Sequence, residues 1–170
     1  MELKVFQRTV VKTFQYPFAE KLNPILHDII LEKADREDLG AVMMPWNSGL
    51  SIPEFKKISN WVMRIIQGED LTWTKTWDLS LLDLWGQYYK KGNYQTTHTH
   101  EPCHWSFVYY VNTPKGCAPL VFTDTNKKIF PKSGMLILFP GWLRHHVPYH
   151  KCKEIRSIIS GNLVYYGRGQ

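Results

Sequence analysis

The chain has 170 residues, 44% of them hydrophobic, 21% charged and 14% aromatic, with a formal net charge of +6. That length suits one domain able to bury a core without disulfide staples, and the composition excludes a disordered chain and a coiled coil. The charge admits nucleic acid or small anions as partners, but Lys90-Lys91, Lys127-Lys128, Lys132, Lys151 and Lys153 lie in separate loop-like stretches with no nucleic-acid-binding motif, so they read as a solvated surface.

The start, MELKVFQRTVVKTF, lacks a secretory apolar region, and no apolar run reaches the ~18 residues of a membrane span. Phe18, Leu22, Ile25, Leu26, Ile29 and Ile30 recur at helical spacing, which predicts an amphipathic helix over about 17–33. Ser51-Ile52-Pro53-Glu54 reads as a capping box opening a second helix. Its apolar face is Phe55, Ile58, Trp61, Val62, Ile65 and Ile66, and Gly68 ends it. From about residue 72 the period changes to short β-branched and aromatic runs: LTWTKTW, LLDLWGQYY, HWSFVYYV, APLVFTD, GMLILF and EIRSIISGNLVYY. Turns such as Lys91-Gly92-Asn93 and Lys132-Ser133-Gly134 separate them. Met135–Pro140 is apolar on both parities and reads as a central strand. The expectation is one α+β, mainly β domain over 1–170. A helical part, 1–70, buttresses a jelly-roll-like β core, 72–166. Three cysteines, Cys103, Cys117 and Cys152, make an odd count without a CxxC, which fits a reducing cytoplasm.

Five of the seven histidines fall in two places, His98, His100 and His104 in one and His145-His146 in the other. A lone loop His is ordinarily just hydrogen-bonded or solvated. On a strand, however, His98 and His100 would share a face, and a later strand could bring one of His145 and His146 to the same ion, since neighbours on a strand face opposite ways. Competing metal chemistries fare worse. His100-Glu101-Pro102-Cys103-His104 spells HExxH, but that motif needs a helix, where Pro102 would cost about 3 kcal/mol. A zinc deaminase needs a second Cys where Ser106 stands. A closed zinc site from His98, His100, Cys103 and His104 crowds its ligands into one turn. A facial iron site with open positions fits better, because Arg156, on the next strand after His145, offers a planar fork for an anionic carboxylate. Taken alone, Arg156 reads as a salt bridge to Glu154 or Asp124.

Trp46-Asn47-Ser48-Gly49, Trp85-Gly86-Gln87, HTHEPCHWSFVYYV, LILFPGWLRHHV and IRSIISGN together resemble the 2-oxoglutarate/Fe(II) oxygenases related to prolyl 4-hydroxylase. The resemblance covers most of the chain and is strongest after residue 85. It implies a double-stranded β-helix, the cofactor Fe(II), the co-substrate 2-oxoglutarate, and O2. His98, His100 and His145 match the metal ligands, and Arg156 matches the arginine that binds the distal carboxylate of 2-oxoglutarate. Tyr110 resembles a tyrosine bonded to the same co-substrate, and Tyr89 and Ser106 are further candidates. Trp85, Trp105, Tyr110 and Trp142 are candidates for the pocket wall. Better-known members read His-x-Asp where this chain reads His98-Thr99-His100, which adds one unit of positive charge to the centre; Glu101 is the alternative carboxylate ligand. The activity implied is hydroxylation of a C–H bond in a peptide, protein or small molecule, such as a prolyl residue. The rival is a non-catalytic cupin-like module binding a metal or ligand in the same pocket.

Overall fold

The computed structural model describes residues 10–38, 40–68 and 77–167. Two helices cover one face of a seven-stranded antiparallel sheet, and a four-stranded sheet covers the other face. The strands are β1 (Lys12–Gln15), β2 (Arg36–Asp38), β3 (Ala41–Met43), β4 (Trp77–Tyr89), β5 (Gln95–His98), β6 (Trp105–Asn112), β7 (Leu120–Phe122), β8 (Lys127–Ile129), β9 (Met135–Pro140), β10 (His145–Val147) and β11 (Arg156–Gly167). The larger sheet runs β1-β9-β6-β11-β4-β3-β2 and the smaller β5-β10-β7-β8. This is the two-sheet, jelly-roll-type architecture that the strand spacing predicts. Among the described residues, no helix is long and apolar enough to cross a membrane.

Helix α1 (Ala19–Lys33) buries Leu22, Leu26 and Ile30, one residue per turn on one face. Its buried Asn23 donates to the Val111 carbonyl at 2.8 Å and accepts from the Tyr109 hydroxyl at 2.6 Å, fixing the helix to β6. Helix α2 (Pro53–Gly68) buries Phe55, Ile58, Val62 and Ile66. Its start corrects the capping expectation. Ser51 closes a short 3-10 turn, Ser48–Ser51, and spends its hydroxyl on the Ser48 carbonyl at 3.0 Å, so Ile52 precedes the helix instead. The first third is also not wholly helical, because β1, β2 and β3 are short strands that extend both edges of the large sheet. The strand run LTWTKTW lies outside the described residues except for Trp77, which begins β4.

Strand alternation divides the large sheet's side chains between two cores. Phe107, Tyr109 and Val111 of β6, with Leu136 and Leu138 of β9, pack under the helices. Val108 and Tyr110, with Ile137 and Phe139, face the small sheet. Strand β9 is therefore buried on both sides, as its sequence predicts. On β4, Gly86 points at the helices, where an added Cβ would meet Ile30, Met44 and Phe55; Trp85, Gln87 and Tyr89 consequently face the cavity between the sheets.

Candidate metal and co-substrate site

The cavity between the two sheets has a volume of about 200 Å³. At one end, antiparallel pairing of β10 with β5 sets His145 directly opposite His98, with ring centroids 4.3 Å apart. His100 arrives by a different route from the one strand alternation predicts, since β5 ends at His98. The turn after β5 is held by backbone bonds, His100 N–H to the Gly141 carbonyl at 2.7 Å and Gly141 N–H to the His104 carbonyl at 3.1 Å. Gly141 fits because a Cβ there would strike the Cys103 carbonyl. One ligand atom from each of His98, His100 and His145 lies within 4.8 Å of the others.

The protonation of these rings follows from their surroundings. The Nδ1 of His98 lies 2.8 Å from the Thr96 carbonyl, and the Nδ1 of His145 lies 2.8 Å from the Leu143 carbonyl. A carbonyl only accepts, so each Nδ1 carries the proton and each Nε2 keeps its lone pair, the tautomer a metal requires. Burial lowers the pKa of all three. His145 is pushed down to about 4, mainly by burial and then by His98. His100 falls to about 3 through burial, His145 and His98. His98 is lowered by burial, against an opposing push from its bond to Thr96. All three are neutral near pH 7, three borderline nitrogen donors suited to Fe, Ni, Cu or Zn.

At the other end, Arg156 opens β11 and is fully buried. Its guanidinium carbon sits 4.2 Å from the Tyr89 ring centroid and 5.6 Å from that of Tyr110. Nη1 donates to the Ala118 carbonyl at 2.8 Å, while Nε, Nη2 and the Tyr110 hydroxyl are buried without a partner among the described residues. The acids named as salt-bridge partners are engaged elsewhere: Asp124 pairs with Arg144 at 3.4 Å, and the Glu154 carboxylate accepts from Cys152. A buried cation with idle donors is costly unless an anion completes it. Burial raises the pKa of Tyr89 and Tyr110 against the opposing pull of Arg156, which keeps both phenols protonated and able to donate. Histidine lone pairs at one end and unsatisfied donors at the other therefore fit a metal ion and a small dicarboxylate.

A polar chain joins the two ends along β4, where residues two apart share a face. Trp85 Nε1 donates to Gln87 Oε1 at 3.1 Å, and Gln87 Nε2 donates to the Tyr89 hydroxyl at 2.9 Å. At the mouth, the half-exposed Trp46 packs on Trp85 with ring centroids 4.4 Å apart.

The structure gathers His98, His100, His145, Tyr89, Tyr110 and Arg156 around this cavity, and leaves others out. Ser106 bonds Asn162 at 2.8 Å, opposite it on β11 and beyond the cavity wall. Glu101 is exposed and accepts from Thr99 at 3.3 Å, outside the histidine cluster. His146 turns to Thr123, as alternation on β10 requires. Of the expected wall tryptophans, Trp85 lines the cavity. Trp105 bonds the Tyr165 hydroxyl and Trp142 is exposed elsewhere. Sequence reasoning assigned no role to Trp46, Gln87, Gln95 or Leu120, which also line it. Gln87 was open to inference from its spacing between Trp85 and Tyr89. Trp46 belongs to the Trp46-Asn47-Ser48-Gly49 motif, whereas Leu120 comes from a distant segment and gives no such signal.

Residues 83–130 match the model of a family described as "Putative 2OG-Fe(II) oxygenase". No curated protein matches the chain in sequence. Among solved structures, the viral collagen prolyl hydroxylase vCPH from Paramecium Bursaria Chlorella virus-1, in complex with 2OG, is similar with a TM-score of 0.73 at 15% identity, over 90% of this chain and 94% of that one. A prolyl-4-hydroxylase from Pseudomonas putida gives 0.64 at 17% identity, over 93% and 92%. A prolyl hydroxylase from Trichoplax adhaerens, in complex with a hypoxia inducible factor oxygen degradation domain peptide fragment, gives 0.63 at 16%, over 92% and 83%. At these identities the structures share the double-stranded β-helix fold. The chain is thus similar in fold to prolyl hydroxylases of the 2-oxoglutarate/Fe(II) type, and the segment that matches the oxygenase family model, residues 83–130, carries Tyr89, His98, His100 and Tyr110.

Proposed function

We propose that this chain hydroxylates a C–H bond of a prolyl residue in a peptide or protein, with His98, His100 and His145 as the iron ligands. Arg156 and Tyr110 hold the distal carboxylate of 2-oxoglutarate, and Tyr89 backs the guanidinium. The observation that carries this reading is one cavity with three neutral imidazoles at one end and a buried arginine with idle donors at the other. The prolyl substrate is supported by the names of the similar structures, two of which are a collagen prolyl hydroxylase and a prolyl hydroxylase bound to a peptide fragment.

Bound at the three histidines, Fe(II) would supply open coordination positions for oxidative decarboxylation of 2-oxoglutarate coupled to hydroxylation. The chain's own residues do the rest. The Thr96 and Leu143 carbonyls fix the His98 and His145 rings and raise their donor strength. The Arg156 fork pairs two N–H groups with one carboxylate, and the Tyr110 hydroxyl adds a third donor. Aromatic and aliphatic walls exclude water from the space between, which strengthens these charge contacts. At the mouth, the half-exposed Trp46 ring, packed on the buried Trp85, offers an apolar face for a pyrrolidine ring.

Anaerobic titration with Fe(II) and then 2-oxoglutarate should produce a metal-to-ligand charge-transfer band that is lost in both Arg156→Ala and His145→Ala. Persistence of the band in both variants would refute the assignments. A tightly held zinc with no succinate formed would instead mark a non-catalytic ligand-binding module.

A further inference from the structure

A second cavity, of about 760 Å³, lies outside the histidine site, walled by loops and by strand β8. Its walls come from the segments 113–119, 128–133 and 148–151. Four lysines line it, Lys115, Lys128, Lys132 and Lys151, all exposed, and no acidic residue or arginine lies among its described lining residues. Folding thus concentrates in one groove positive charge that the sequence spreads over separate segments. Two aromatic rings also lie in its walls, Phe130 at 67% exposure and Tyr149 at 62%. Exposed rings and clustered like charges are both costs that a free surface gains nothing from, and together they mark an interaction site. Four prolines in the walls restrict the backbone there, which lowers the ordering cost of binding.

We propose that this groove is a docking site for an acidic polypeptide segment, with glutamate or aspartate side chains on the lysines and an apolar side chain against Phe130. Lysine ammonium groups are mobile point charges that meet carboxylates at variable spacing, as an extended acidic peptide requires. A single-stranded nucleic acid fits less well. It binds through a series of aromatic faces on which successive bases stack. Here the Tyr149 ring already leans on Tyr94, with centroids 4.7 Å apart, so Phe130 is the main free face. The proposal stands apart from the reaction in the first cavity. The wall between them includes Ala118, which lines the groove and whose carbonyl accepts from Arg156.

Fluorescence anisotropy of the full chain, without added metal, tests this with a labelled ten-residue peptide of alternating glutamate and leucine. Binding should weaken with salt. It should fall about ten-fold or more in the quadruple variant Lys115→Ala, Lys128→Ala, Lys132→Ala, Lys151→Ala, whose residues are too exposed to carry the fold. Phe130→Ala should lose several-fold at constant salt dependence. The double variant Lys56→Ala, Lys57→Ala, on the exposed face of α2, should bind as the parent does. No binding at low salt, an equal loss in the α2 variant, or no loss in the quadruple variant would overturn the proposal. Tighter binding of a labelled ten-residue oligothymidylate, lost through the same four lysines, would overturn it in favour of nucleic acid.

Discussion

Arg156→Met separates ligand recognition from folding because the two effects have opposite signs. The guanidinium is fully buried, has one bond to the Ala118 carbonyl, and keeps Nε and Nη2 without partners among the described residues. If those two donors receive the distal carboxylate of 2-oxoglutarate, each charge-assisted bond is worth about 1.5–3 kcal/mol. Their loss then totals about 3–6 kcal/mol, or roughly a hundred- to ten-thousand-fold in Kd. Stability should move little or rise, because the variant removes a buried cation whose desolvation costs several kcal/mol and loses a single hydrogen bond in exchange. Calorimetric titration of the Mn(II)-loaded protein, which avoids turnover, gives the affinity. Thermal unfolding without 2-oxoglutarate gives the stability. A second ligand sharpens the test. 2-Oxobutyrate keeps the keto-acid head and lacks the distal carboxylate, so parent and variant should bind it alike. The reasoning fails if Arg156→Met binds 2-oxoglutarate within about five-fold of the parent, or if the ligand-free variant loses more than about 3 kcal/mol of stability.

Removing a metal-site imidazole should be selective: His98→Ala and His145→Ala should abolish stoichiometric metal binding, read by elemental analysis after dialysis, whereas His146→Ala and His104→Ala should retain it. Gly141→Ala places a Cβ against the Cys103 carbonyl and should displace the turn carrying His100, so metal affinity should fall although residue 141 is no ligand; unchanged affinity would show that the turn tolerates the shift. Gln87→Leu leaves the Trp85 Nε1 without its acceptor in a buried setting, for a loss of about 1–3 kcal/mol in chemical denaturation. The metal-free protein should also lose stability in acid. His145 and His100 titrate at about 4 and about 3 when folded, against 6.5 in the unfolded chain, so the unfolded state takes up protons first. Their contribution is complete above about pH 6.5 and declines as pH falls toward 4. His100→Asn should flatten that decline, and a parent slope equal to the variant's would contradict the assignment.

Much of this protein is legible in one dimension because its signals are periodic. The helix faces of Leu22, Leu26 and Ile30 and of Phe55, Ile58 and Val62 follow from a 3.6-residue repeat, and the doubly buried β9 follows from apolar residues on both parities. The same local rule says that only one of His145 and His146 can face the cavity, since adjacent strand residues face opposite ways; the family motif points to His145, and the β10–β5 pairing turns it inward. Short strands were missed because three or four residues carry too few repeats to register; β1, β2 and β3 exist through pairing with distant edges. The expected wall positions of Trp105 and Trp142 failed for a related reason, because aromatic residues serve either face of a sheet and only packing assigns the face.

Sequence by itself determined the chemistry available here: imidazoles in His-x-His spacing, a later His pair, an arginine on the strand beyond, and a β-rich chain to hold them. Tertiary structure alone decided where those groups meet. A cross-strand register set His145 against His98, a backbone bond to Gly141 swung in His100 from beyond the strand end, and burial without a carboxylate left Arg156 with donors to spare. It also drew four lysines from three separate segments into one groove. The reason is physical: side-chain chemistry and local periodicity are written in neighbouring residues, whereas register, burial and charge clustering arise from contacts between segments far apart in the chain.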